Sequence, residues 1–172
     1  GLILGWHTTF NPFSFKPSWA EVAELEETAQ LEKLADPDFR QKLITEASVY
    51  PESDLQILGE LMANGFSMQY ELSDDFDYEP TAQQSIAYLA EEAGVSGAEY
   101  AYDLLMSEGG TGFIYFPLLN YADGNLNFLE PVLQSDDCIN SLSDGGAHCG
   151  TICDAASPTF MLQHWVRDRN GF

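Results

Sequence analysis

Basic residues are scarce in this chain. Six Lys and Arg stand against 28 Asp and Glu over 172 residues, a formal net charge of −22. A field of that sign repels phosphate, so nucleic-acid binding is not expected. An anionic membrane surface is disfavoured on the same ground. Long apolar runs are missing as well. No stretch approaches the ~20 residues needed to span a bilayer. The apolar start at Gly1-Leu2-Ile3-Leu4-Gly5 is short and lacks the basic opening of a signal peptide. Cysteine is limited to Cys138, Cys149 and Cys153. An odd count at irregular spacing is no disulfide framework, which points to a reducing, cytoplasmic compartment. HxH, HExxH, GxSxG and P-loop patterns are all lacking, so no complete catalytic set of these kinds is present.

What is there is globular: 45% hydrophobic and 13% aromatic, enough for a real core. Gly1 to Trp6 reads as a buried strand. The loop from His7 to Pro17 holds three phenylalanines, expected to cover a core edge or a pocket. Ser18 with Glu21 spells a capping box for a first helix, and a second starts near Glu26–Thr28 and runs to about Ala35. Asp36-Pro37 opens a third, with Phe39, Leu43, Ile44 and Ala47 on one face. Residues 54–63 are a weaker helical stretch, and Gly65 to Leu72 alternates like a strand. The run Ser73-Asp74-Asp75-Phe76-Asp77-Tyr78-Glu79-Pro80 carries four acids, but it lacks the central glycine of a calcium loop and reads as a solvated turn. Thr81 and Ser96 are expected to cap two further helices, closed by Gly94 and by Ser107–Gly110.

Gly112 to Leu119 is then a buried strand, Leu126 to Leu133 a short helix, and Cys138 to Ser143 another strand. Strand, helix and strand in so compact a unit predict a parallel pair with a right-handed crossover. Asp144 falls at the C-terminal tip of the second strand, the end at which such sheets bind ligands. Gly145-Gly146 lets the chain turn sharply behind it. A carboxylate so placed serves as a metal ligand, a general base or a simple cap, and the pattern alone leaves all three open. His148 is a candidate to join Asp144 at a metal, since imidazole and carboxylate both suit zinc; the plainer role is a loop histidine bonded to backbone. His7 and His164 are isolated and read as structural. A last helix is expected from Ser157-Pro158 to about Arg169, with Phe160, Leu162, Trp165 and Val166 as its apolar positions.

The segment Ile139-Asn140-Ser141-Leu142-Ser143-Asp144-Gly145-Gly146-Ala147-His148-Cys149-Gly150-Thr151-Ile152-Cys153-Asp154-Ala155 resembles the last barrel strand and following loop of N-acyl-D-amino-acid deacylases, the D-aminoacylase-like members of the amidohydrolase superfamily. The resemblance continues through Pro158-Thr159-Phe160 to His164-Trp165-Val166-Arg167-Asp168-Arg169. Tyr115 to Leu126, Asp77-Tyr78-Glu79-Pro80 and Asn11-Pro12-Phe13-Ser14-Phe15 are similar to earlier parts of the same barrel. It implies an α/β fold, a partial (β/α)8 TIM barrel of the metal-dependent hydrolase type comprising the last strands and helices only. It implies zinc as cofactor, an N-acyl-D-amino acid as substrate and hydrolysis of its amide bond. The family's strand-8 aspartate falls on Asp144, whose implied role is to contact the metal, take a proton from the attacking water and pass it to the leaving amine. Zinc brings the pKa of water towards ~7, and a carboxylate in hydrogen-bond reach completes the activation. The family's other ligands would lie before Gly1. The chain is therefore expected to be the C-terminal portion of a longer catalytic barrel, inactive alone. Residues 10–80 would form a helical insertion or lid, and 81–172 the last two βα units. Two rivals stand beside this expectation: a non-catalytic acidic α/β domain binding a cationic partner, and an amidohydrolase of different amide specificity.

Overall fold

The computed structural model describes residues 1–53, 56–139, 150 and 156–170. It is an α/β structure in which helices surround a small sheet of three strands: β1 (Leu2–Leu4), β2 (Tyr70–Glu71) and β3 (Ile114–Phe116). The order is β1-β3-β2, and both pairings are antiparallel. Ile3 and Tyr70 each face Tyr115, while Leu4 and Glu71 face Ile114. The parallel partner expected for β3 falls mostly outside the described residues. Its first two residues, Cys138 and Ile139, carry no strand, and Ile139 is 89% exposed.

β1 is shorter than its apolar run because the chain turns at Gly5. The Gly5 amide donates to Thr8 Oγ1 at 2.8 Å, and Thr8 Oγ1 donates to the Phe10 carbonyl at 2.7 Å. A Cβ at Gly5 would lie 2.7 Å from the Phe113 ring, so no larger residue fits without moving that ring. The phenylalanine loop is itself core. Phe13 is buried, and its ring meets Tyr102 edge-on at 5.4 Å; Trp6 lies 5.2 Å from Tyr102 and 5.5 Å from Trp19. Such tilted and edge-on pairs suit the ring quadrupoles.

Helix starts follow their caps where the cap is local. Asp36 Oδ1 accepts from the amides of Asp38 and Phe39 (2.8 and 3.1 Å) and opens α2 (Pro37–Thr45), just after α1 (Glu27–Leu34). Ser96 and Glu99 form a reciprocal box at the start of α5 (Gly97–Gly110), which leaves helical geometry at Ser107, Glu108 and Gly109. Between α2 and α5 lie α3 (Gln56–Asn64) and α4 (Ile86–Ala93), the latter ended by Gly94 at φ +71°.

Three expectations are corrected. Ser18 caps no helix: Pro17–Glu21 is a 3-10 turn entered at Lys16. The amide and hydroxyl of Ser18 instead donate to the Glu46 carboxylate (2.8 and 3.1 Å), while Glu21 accepts from Lys42 at 2.6 Å. A long-range carboxylate thus replaces the local cap. Thr81 and Gln84 box only the 3-10 turn Ala82–Gln84, and Ser85 caps α4. Within the run from Gly65 to Leu72, Phe66–Met68 is a 3-10 turn, leaving β2 two residues long.

The faces of β3 separate two cores. Ile114 and Phe116 join Leu2, Leu4, Leu43 and Leu105 in the larger one. Tyr115 packs against the smaller, built on Tyr70, Tyr121, Leu126 and Trp165 beside the short helix α6 (Leu129–Leu133). On the larger side the Tyr102 hydroxyl donates to the Leu34 carbonyl at 2.6 Å, joining α5 to α1, and burial pushes this phenol well above its usual pKa. Arg40 of α2 grips Asp103 of α5 through two nitrogens, Nε at 3.1 Å and Nη2 at 2.8 Å.

The last helix departs furthest from expectation. α7 (Ser157–Phe160) runs on as a π-helix, Met161–Asp168, and the Arg169 amide reaches back five residues to the His164 carbonyl at 2.9 Å. This bonding puts residues roughly four to five apart on one face. Phe160, His164, Trp165 and Arg169 therefore turn inward, whereas Leu162 and Val166, two of the four apolar positions read from the sequence, are exposed. Among the described residues no helix is long and apolar enough to cross a membrane.

Tyr102→Phe should cost about 1–2 kcal/mol, because the buried Leu34 carbonyl loses its partner while the ring packing remains. Urea denaturation should show a lower midpoint with an unchanged slope.

Candidate functional site

Asp144 and His148 lie outside the described residues, as do Cys149 and Cys153. What is described nearby is Gly150, whose carbonyl accepts from the Thr9 amide at 2.9 Å. A Cβ on Gly150 would stand 2.8 Å from Thr9 Oγ1, so the contact is close. The turn that leaves β1 therefore touches the chain six residues beyond Asp144. His7, on that turn, is exposed, and its Nε2 sits 3.9 Å from Glu27 Oε1. Cys138 is a free, exposed thiol.

The most built constellation among the described residues grows from the acidic run at 73–80. Asp77 Oδ1 accepts from the Glu79 amide at 2.8 Å, a local turn that folds the chain back. Pro80 is buried, and its carbonyl accepts from the Tyr121 hydroxyl at 2.9 Å. Between these anchors the Glu79 side chain points inward. Its Oε1 accepts from the Leu126 amide and from Arg169 Nη1, both at 2.6 Å. Arg169 lies over the Trp165 ring, 4.8 Å from its centroid, donates through Nη2 to Asn127 Oδ1, and stands 4.0 Å from Glu130 Oε2. Glu79 Oε2 faces His164 Nε2 at 3.9 Å, beyond hydrogen-bond reach.

His164 is 7% exposed, and its Nε2 has no hydrogen-bond partner among the described residues. The ring is sandwiched on Phe160 (5.0 Å, 11° between planes), with Tyr78 at 5.7 Å and Trp165 edge-on at 5.5 Å. Burial lowers the pKa of the imidazole; Glu79, Asp77 and Asp168 oppose that shift, and Arg169 adds to it. The imidazole is thus held neutral in a mostly aromatic shell.

Asp74, Asp75 and Asp77 are exposed, as a solvated turn requires, but Glu79 is not part of that solvated face. A cavity of about 170 Å³ opens beside the turn, lined by Tyr70, Asp75, Phe76 and Asp77 among others; neither Glu79 nor His164 borders it. Among the described residues no group of three or more His, Cys, Asp and Glu side chains is arranged to hold a metal. Sequence reasoning treated His164 as an isolated structural histidine. Its partners are 85 residues upstream and five downstream, and only the π-helical spacing from Phe160 to Arg169 signals the shared face.

Compared with known proteins, the chain matches no family model, no curated protein and no solved structure.

Glu79→Ala should destabilise the fold by about 2–4 kcal/mol, since it strips a half-buried Arg169 of its counter-ion and uncaps the Leu126 amide. Glu79→Gln keeps an acceptor for Leu126 and should lose about half as much. Urea melts of the two variants check the ranking.

Proposed function

We propose that this chain is part of a zinc-dependent amidohydrolase that cleaves the amide bond of N-acyl-D-amino acids, with Asp144 as its proton-transfer residue. The reading is supported by the sequence Ser143-Asp144-Gly145-Gly146 with His148, which resembles the family's segment around its proton-transfer aspartate. The finer fold assigned here, the closing strands of a (β/α)8 barrel, belongs to the same proposal.

In this reading Asp144 accepts a proton from the attacking water as it adds to the acyl carbon, then delivers it to the amine nitrogen as the C–N bond breaks. His148 positions the substrate or the water. Zinc, when bound, supplies the Lewis acidity that lowers the pKa of water and polarises the acyl oxygen. The ligands that hold it would come mostly from outside this chain, with Asp144 as the one contribution from within.

The test is a protein expressed from its whole reading frame, loaded with zinc, and assayed on matched N-acetyl D- and L-amino acids. Asp144→Asn should lower kcat by about 10²–10⁴ when rates are compared per zinc-loaded protein. Unchanged turnover in that variant removes Asp144 from the chemistry. Lack of turnover on any acyl amino acid by the unmodified protein would favour the acidic binding domain, for which the net charge of −22 is the argument.

A further inference from the structure

The cluster around Glu79 joins three stretches that share no local contact in sequence: the 73–80 turn, the approach to α6 at Leu126 and Asn127, and the helical segment 157–169. Within it, one carboxylate faces two nitrogenous partners unequally. Oε1 is fully committed, to Arg169 and to the Leu126 amide. Oε2 looks towards His164 Nε2 across 3.9 Å without bonding it. Among the described residues the imidazole Nε2 has no hydrogen-bond partner, and the ring is closed in by Phe160, Tyr78 and Trp165.

We propose that Glu79, His164 and Arg169 form an acid-sensitive clasp, in which protonation of His164 releases the 157–169 helix from the 73–80 turn. A second cation beside Arg169 would share its one carboxylate: Oε1 is held at 2.6 Å by the guanidinium, and Oε2 stands 3.9 Å from the imidazole, beyond hydrogen-bond reach. The remaining charged groups facing the imidazole are Asp77 on the turn and Asp168 on its own helix, both at the solvent-facing rim; Glu130 of α6 faces Arg169 instead. Aromatic rings cannot solvate an imidazolium Nε2 from the edge as water does, so opening the helix is the route by which the proton is accommodated. The device is weak by construction, since a π-helix is an uncommon and locally labile form.

The sign follows from linkage. An imidazole in the released helix titrates near its ordinary value of about 6.5, whereas in the clasp burial holds it lower. Acidification therefore protonates the released form first. The clasp is intact above that ordinary value and loses stability as pH falls from there towards the lowered one, with no further change below it. None of these residues is assigned a step in hydrolysis, so the clasp and the hydrolase proposal fail separately.

Hydrogen exchange read by mass spectrometry, corrected for the intrinsic pH dependence of exchange, tests this in the intact chain. Between about pH 7.5 and 5.5, protection of the 157–169 peptide should fall by at least about twofold while that of α5 holds. His164→Gln should abolish the pH dependence, and His7→Gln, at an exposed imidazole, should leave it intact. Equal pH dependence with His164→Gln, or its loss with His7→Gln, overturns the clasp. A second readout serves if His164→Gln folds poorly. The His164 ring protons in the unmodified protein should titrate below the ordinary imidazole value of about 6.5, and a midpoint at or above it overturns the clasp as well.

Discussion

The carboxylate of Glu79 is the point at which the second half of this fold is tied together. It accepts from an amide that precedes α6 and from a guanidinium that follows the last helix, and both bonds are short. Charge-assisted bonds of this kind are roughly twice as strong as neutral ones. They matter more here because, among the described residues, the smaller core rests on four buried side chains, Tyr70, Tyr121, Leu126 and Trp165, with a fringe of partly buried ones. Packing alone would hold that corner of the molecule loosely; the ion pair gives it a definite geometry. Proline at 80 and the Asp77 turn keep Glu79 aimed inward, so a short acidic run becomes a structural hub at one residue and a solvated surface at its neighbours.

The larger core rests on different physics. Trp6, Phe13, Trp19 and Tyr102 form a continuous aromatic group beneath α1, α2 and α5. Here the scarce cations are used economically. Arg40 chelates Asp103 and also covers the Tyr102 ring at 5.5 Å, while Lys42 meets Glu21. In a chain with 28 acids and 6 bases, most carboxylates have no such partner available and must be solvated. That surplus repels itself, and screening by salt relieves it.

Much of this organisation was legible in the residues. Asp36-Pro37, Ser96 with Glu99, and Gly94 mark helix ends through purely local hydrogen bonds or backbone freedom, and they stand where the pattern put them. The α/β class and the positions of β1 and β3 followed from apolar runs bounded by glycine and proline. Ser18 was misassigned because its true acceptor, Glu46, is 28 residues away, and local pattern has no access to that distance. His164 was read as an isolated structural histidine because Glu79, the carboxylate that faces it, lies 85 residues upstream, beyond the reach of local pattern. The strand-tip residues Asp144 and His148, on which the functional reading turns, fall outside the described residues, and their role rests on the sequence segment itself.

Consider finally the alternation along β3. Ile114 and Phe116 serve one core and Tyr115 the other, so this strand of three residues is a wall with two tenants. Sliding it by a single position would thrust a phenol among the leucines and strand two apolar side chains on the opposite face. Neither half of the molecule can tolerate that exchange independently of the other. Damage that loosens either side should therefore be felt across the sheet, and a strand of three residues becomes the element that makes its two halves a single cooperative body.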